Sequence, residues 1–315
     1  MDSLLDLIRS SADTVRTILA VLLPIGIGIL LRGLRVFDER DGEVLRRFVV
    51  RFTVPLFIFF AIYEAQRDSI AAIAPMTTAL ILFTVALFAI GWGVSMLFPP
   101  GPQRTAVHAC LTFCNYGWMG FGICGALLGE EGVQRVVYFL ILWWPVFYGF
   151  GLLIGLVHAR EQKGGLPIRR TLSMALPPVG AMLIGLGLNL GSVRLPGLVD
   201  SALRPFGHMT VPLILLSVGL MLDFSRLRGA LKPAVLITAV TLLVGPLIGW
   251  GLAAGLAPDA VGFKALILEA AMPVATVTPI LEENYAMDTE LVGTAIVLST
   301  VASLVTLPLI ALIVV

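Results

Sequence analysis

Long apolar runs separated by short polar stretches fill the 315-residue chain, and this pattern predicts membrane-crossing helices rather than a soluble core. A helix needs roughly 20 apolar residues to cross the hydrocarbon of a bilayer. Ten stretches reach or approach that length: 17–34, 45–63, 70–98, 104–128, 133–157, 171–190, 199–222, 234–256, 262–281 and 291–315. Most are apolar all round. Ten divides into five and five, and an odd number of spans per copy makes a second copy enter the membrane upside down, an arrangement recurrent among secondary transporters.

Short repeats support two copies. Thr-Val-Pro-Leu occurs at 53–56 and 210–213, its prolines 157 apart (212 − 55). Gly-Trp-Gly occurs at 91–93 and 249–251, and Pro75 and Pro233 each open a span; both pairs are 158 apart (249 − 91 and 233 − 75). The predicted fold is all-α: ten transmembrane helices in two inverted five-helix repeats, 1–160 and 161–315.

Composition sharpens the solvent. Apolar residues make up 58% of the chain, charged residues 13%, and the mean hydropathy is +0.98; soluble domains carry about 25% charged residues. The net charge of +1 comes without a basic block, so no nucleic-acid partner is expected. Loops after odd-numbered spans hold fourteen of the 21 Lys and Arg residues. By the positive-inside rule those loops are cytoplasmic and both termini lie outside a plasma (inner) membrane. The mixed charges before the first span (Asp2, Asp6, Arg9, Asp13, Arg16) do not resemble a cleavable signal, so the first helix is expected to stay.

The fourth and ninth spans depart from the rule. The fourth carries Asn115, Tyr116, Gly117, Gly120 and Gly122; the ninth carries Met272, Pro273, Thr276 and Pro279. Glycine permits non-helical backbone and proline removes a donor, so both spans are expected to break and to cross at the midplane. Adding 157 or 158 to Asn115 lands on Met272 or Pro273, which makes the two interruptions equivalent. A broken helix exposes unpaired N–H groups at one end, where anions are favoured. Asn115 is a candidate cap for the second half of the fourth span, and Thr278 or Met272 starts the second half of the ninth. The alternative is that glycine and proline merely mark kinks or close packing.

At these residues the chain resembles the auxin efflux carrier family, which includes plant PIN-type carriers and bacterial malonate and malate transporter-like proteins. The family's Asn-x-Gly-x-x-Gly-x-Pro reads here as 115–122, with Gly122 in place of the proline; Met272-Pro273-Val274-Ala275, Asn284-Tyr285-Ala286-Met287-Asp288, Ser299-Thr300 and Thr306-Leu307-Pro308 are similar too. The resemblance implies an organic anion held where spans four and nine cross. It also implies a scaffold of spans one, two, six and seven, often dimeric, and a mobile bundle of the other six.

Glu269 is the one carboxylate deep within a predicted span, so it is a candidate for proton coupling, or else for a pair with Lys264 or His108 or for a side chain that reaches water in a cavity. His108 is either a structural histidine or a proton relay. Cys110 and Cys114 share a helix face at i, i+4 and read, with Cys124, as packing residues rather than a metal site. Trp118 and Tyr116 flank substrate or pack; Trp143 and Trp144 pack. Neither a Walker-type phosphate loop nor a hydrolase or zinc-protease motif occurs, so neither an enzyme nor a cofactor is expected. The expected function is secondary transport of a small carboxylate by alternating access, proton- or sodium-coupled or uncoupled. The alternative is a sensor that retains a carrier fold.

Overall fold

The computed structural model describes residues 2–65, 71–158, 168–222, 230–283 and 285–315. The expected boundary between the halves, Arg67, Arg226, Arg228 and Asn284 lie outside these residues. In chain order the helices are α1 (Asp2–Gly33), α2 (Glu39–Phe48), α3 (Val54–Tyr63), α4 (Ile73–Ser95), α5 (Pro102–Thr112), α6 (Tyr116–Leu140) and α7 (Trp143–Val157). They continue with α8 (Ile168–Leu190), α9 (Gly197–His208), α10 (Thr210–Met221), α11 (Leu231–Ala239), α12 (Gly245–Leu256), α13 (Ala260–Ala270) and α14 (Thr289–Val314).

Among the described residues five helical runs are long and apolar enough to cross a membrane: Val15–Gly33, Ile73–Ser95, Gly197–Met221, Leu231–Leu256 and Thr289–Val314. A sixth arises if α6 and α7, bent by 41°, form one span. Of the remaining expected spans, the fourth and ninth are divided into shorter pieces, and prolines mark local irregularities in others. Pro55 cannot donate to the Arg51 carbonyl, and its ring crowds that oxygen. The chain therefore widens into one π turn over Val49–Thr53 before α3 begins. Pro212 acts on the His208 carbonyl in the same way, and α9 ends there. The doubled Thr-Val-Pro-Leu thus marks a pair of local helix distortions, the second within the continuous run Gly197–Met221. Gly129, at φ 69°, bends α6 in the left-handed region that glycine tolerates best.

Close helix contacts repeat at the same spacing as the motifs. A Cβ on Gly28 of α1 would overlap the Leu216 carbonyl and stand 2.8 Å from the Leu220 nitrogen of α10. On Gly185 of α8 it would stand 2.8 Å from the Phe59 carbonyl and 3.4 Å from the Tyr63 nitrogen of α3. The differences 185 − 28, 216 − 59 and 220 − 63 are all 157. Gly91 of α4 likewise sits on the His108 carbonyl of α5, and Gly249 of α12 on the Leu266 carbonyl of α13, at 3.1 and 3.3 Å from a built Cβ. Here 249 − 91 and 266 − 108 are both 158. Glycine at these points lets backbones meet, which is how helices associate where apolar burial alone supplies no preference.

Polarity is arranged for a lipid solvent. Thr53, Thr84, Thr210, Thr294, Ser299 and Glu269 are buried, while Leu97, Leu247, Trp92, Trp250, Val305 and Ile313 face outward. Some buried hydroxyls bond within their own helices, Thr84 donating to Leu80 at 2.8 Å and Ser303 to Thr300 at 2.7 Å, and Thr77 of α4 donates across to the Tyr138 carbonyl of α6 at 2.8 Å.

Candidate functional site

The helix α5 ends at Thr112 and α13 at Ala270, exactly 158 residues further along, and their starts at Pro102 and Ala260 have the same spacing. Beyond those ends both chains run extended. Cys114 and Val274 pair as a single antiparallel β-bridge. It is flanked by two hydrogen bonds: the Asn115 N–H donates to the Pro273 carbonyl at 2.7 Å, and the Ala275 N–H donates to the Phe113 carbonyl at 3.0 Å. The Val274 N–H donates to Ser299 Oγ of α14 at 3.1 Å. Backbone groups that leave a helix inside an apolar core must find partners, and these bonds supply them.

After the bridge the two chains differ. α6 starts at Tyr116 and runs helically to the kink at Gly129, whereas the second segment makes only a short 3-10 stretch, Thr278–Glu283. Asn115 precedes α6 with φ −85° and ψ 45°, away from the extended conformation of a usual cap, and its side chain makes no cap bond. Its carboxamide instead accepts from Thr276 Oγ1 at 3.4 Å, and its Nδ2 has no partner among the described residues. The expected capping role of Asn115 is therefore not realised. Its side chain links the two breaks.

A cavity of roughly 710 Å³ opens beside this crossing. Its wall includes Asn115, Tyr116, Gly117 and Trp118 from the first break and Ala275 and Val277 from the second. Trp143 and Trp144 of α7, Val54 and Ile58 of α3, and Pro178 and Met182 of α8 complete it. No charged side chain lines it among the described residues. Tyr116 is held by ring edges from Trp143 at 5.2 Å and Phe139 at 5.4 Å. The first three N–H groups of α6 have no intrahelical acceptor, so the helix start is the positive element at this wall.

The other sequence candidates lie elsewhere. Gly120 faces Glu269, whose carboxylate a Cβ at 120 would overlap. Glu269 is fully buried; it accepts from Cys124 Sγ at 3.8 Å, and its second oxygen has no partner among the described residues. Neither suggested partner reaches it: Lys264 bonds the Val315 carbonyl, and His108 lies between His158 and the Phe88 carbonyl, each at 3.1 Å. Gly122 packs against Val21 of α1 and Val211 of α10, away from the cavity. Met272 and Pro273 are buried in the crossing strand itself. Cys114 lies past the end of α5, so it does not share a helix face with Cys110. Sequence reasoning missed Val54, Ile58, Pro178 and Met182 as wall residues, and assigned Trp143 and Trp144 to packing.

Helices crowded with apolar exterior residues around a paired backbone break define a multi-pass integral membrane protein. The family model for "Membrane transport protein" matches residues 13–164 and 167–311, and the chain belongs to this family, that of the auxin efflux carriers. An uncharacterized transporter of Methanothermobacter thermautotrophicus is 29% identical over 301 residues, covering 94% of this chain and 97% of that protein. An uncharacterized transporter of Methanocaldococcus jannaschii is 22% identical over 301 residues, covering 93% and 96%.

Proposed function

We propose that this membrane transport protein is a secondary carrier of a small organic anion, a carboxylate, bound where the two extended breaks cross. The observation that carries the reading is the backbone pairing of Asn115 with Pro273 beside a cavity where, among the described residues, the positive element is the start of α6. A carboxylate there would meet α6 N–H groups and the unpartnered Asn115 Nδ2, with Thr276 one bond away. Tyr116, Gly117, Met272 and Pro273 shape the walls and the crossing; Gly120 and Gly122 act at one remove, through Glu269 and through α1 and α10.

In this reading the chain has ten spans in two inverted repeats, with residues 1–160 and 161–315 as the copies. The contacts of Gly28 and Gly185, and of Gly91 and Gly249, support it because they recur at the motif spacing. Spans one, two, six and seven form the scaffold, and the other six slide past it as an elevator. The cavity is walled by both groups, through α3 and α8 on one side and α6 and α7 on the other. Glu269, buried against the mobile α6, is the group that would carry a coupling proton; without it the carrier is a uniporter. His108, bonded on both ring nitrogens, serves structure. Residence in the plasma membrane, termini outside and a homodimeric scaffold complete the proposal.

A thermal-shift series of the purified protein against mono- and dicarboxylates tests it. Stabilisation by at least one carboxylate that disappears in Asn115→Ala is expected. Stabilisation without flux in proteoliposomes would favour the sensor, and no response to any anion would exclude a carboxylate site.

A further inference from the structure

A second cavity adjoins the first. It is an open cleft lined, among the described residues, by Glu43, Arg46, Arg47, Val50, Arg51, Trp144, Val277 and Ile280. Trp144 and Val277 also line the central cavity, so the two spaces meet at these side chains. Among the described lining residues three arginines stand beside one glutamate. Glu43 pairs with Arg47 at 3.4 Å, with both side chains more than half exposed. Arg51 lies in the π turn that Pro55 forces, three residues before Val54 of the central wall. The central cavity, with no charged wall residue among those described, has little reach in water; its field is that of a helix start, which fades within a turn.

We infer that Arg46, Arg47 and Arg51 form an anion-collecting vestibule that delivers a carboxylate to the central cavity past Trp144. This rests on the anion-carrier reading above and adds an entry site with its own residues. Clustered charge of one sign in a cleft raises the local concentration of counter-charged solutes, and salt screens the effect.

Iodide quenching of Trp144 fluorescence tests the vestibule without requiring transport; the Trp144 component is the difference between wild type and Trp144→Phe, and neutral acrylamide is the control. The triple variant Arg46→Gln, Arg47→Gln, Arg51→Gln should lower iodide quenching of Trp144 by about twofold or more at low salt while leaving acrylamide quenching unchanged. The triple Lys variant should keep it, because charge and not guanidinium packing is responsible. Glu43→Gln should raise it. Iodide quenching that is absent from wild type, or equal in wild type and the Gln triple, overturns the vestibule even if carboxylate flux is intact. Normal quenching without carboxylate flux would leave the vestibule standing and remove the carrier reading. Measurements in phosphatidylcholine vesicles with and without phosphatidylglycerol identify the occupant: loss of the arginine effect on adding the anionic lipid would show headgroups filling the space, against the proposal.

Discussion

The backbone N–H of Asn115 donates to the carbonyl of Pro273 at 2.7 Å, and these residues are 158 positions apart. Equivalent points of the two motif-bearing halves therefore touch each other. The reciprocal bond cannot form, because Pro273 has no N–H. The Asn115 carbonyl is left to accept from Met119 at 3.2 Å, the first turn of α6. One proline thus accounts for part of the difference between the two segments that leave the near-symmetric crossing.

The Gly120–Glu269 contact predicts a specific suppressor. Gly120→Ala places a methyl group on the Glu269 carboxylate, which should destabilise the protein by about 1–3 kcal/mol as an overpacked core does. Shortening the partner in Glu269→Ala should recover much of that loss, so the two changes are non-additive. Thermal unfolding of the two single variants and the double variant checks this. Additive losses would mean that the residues do not meet.

The paired glycine contacts make a second prediction. Gly28→Val and Gly185→Val should each separate two helices whose backbones meet, lowering the melting temperature and the yield of folded protein. Gly26→Ala and Gly187→Ala are the controls, since a Cβ at either meets nothing within 4 Å. Those changes should be neutral or slightly stabilising, by up to about 1 kcal/mol.

Acid should weaken one tie between the halves. Arg135 Nη2 lies 2.5 Å from Asp259 Oδ2, with the arginine side chain 5% exposed and the aspartate 39%. Partial burial raises the Asp259 pKa, but hydrogen bonds from Arg135 and the Gly262 N–H outweigh it, so the carboxyl lies below its ordinary 3.8. A carboxylate with a depressed folded pKa adds stability above its unfolded pKa and loses it as pH falls through the folded one. The melting temperature should therefore fall with acid below about pH 4, and Asp259→Asn should flatten that part of the profile. At neutral pH Asp259→Asn should cost more than Arg135→Met, because it leaves the buried guanidinium without its counter-charge. Equal costs would contradict the pairing.

Much of the organisation was legible in the residues themselves. Pro55 and Pro212 set the repeat spacing, and Gly91 and Gly249 lie at helix contacts that recur at their own spacing. Asn115 and Pro273 were aligned by arithmetic alone. What followed each break was not legible: the same spacing that matches α5 to α13 gives no warning that α6 is long and Thr278–Glu283 short. Nor could a one-dimensional pattern say which neighbour a glycine serves. Gly117, Gly120 and Gly122 sit within six residues, yet they meet Leu140, Glu269 and Val21 respectively, because successive positions on a helix point in different directions. The cavity wall drew on α3, α7 and α8 for the same reason: it is assembled across the chain, and only its irregular backbone leaves a local trace.

Counterflow of a labelled small carboxylate into proteoliposomes, comparing wild type with Asn115→Ala, tests the central claim most directly. Asn115→Ala removes the side-chain amide that joins the two breaks but leaves the backbone bond to Pro273, so a folded protein is expected. Flux should fall at least about tenfold, the equivalent of a lost hydrogen bond to a charged group. Flux unchanged in a folded Asn115→Ala protein would contradict the assignment of the crossing as the binding site.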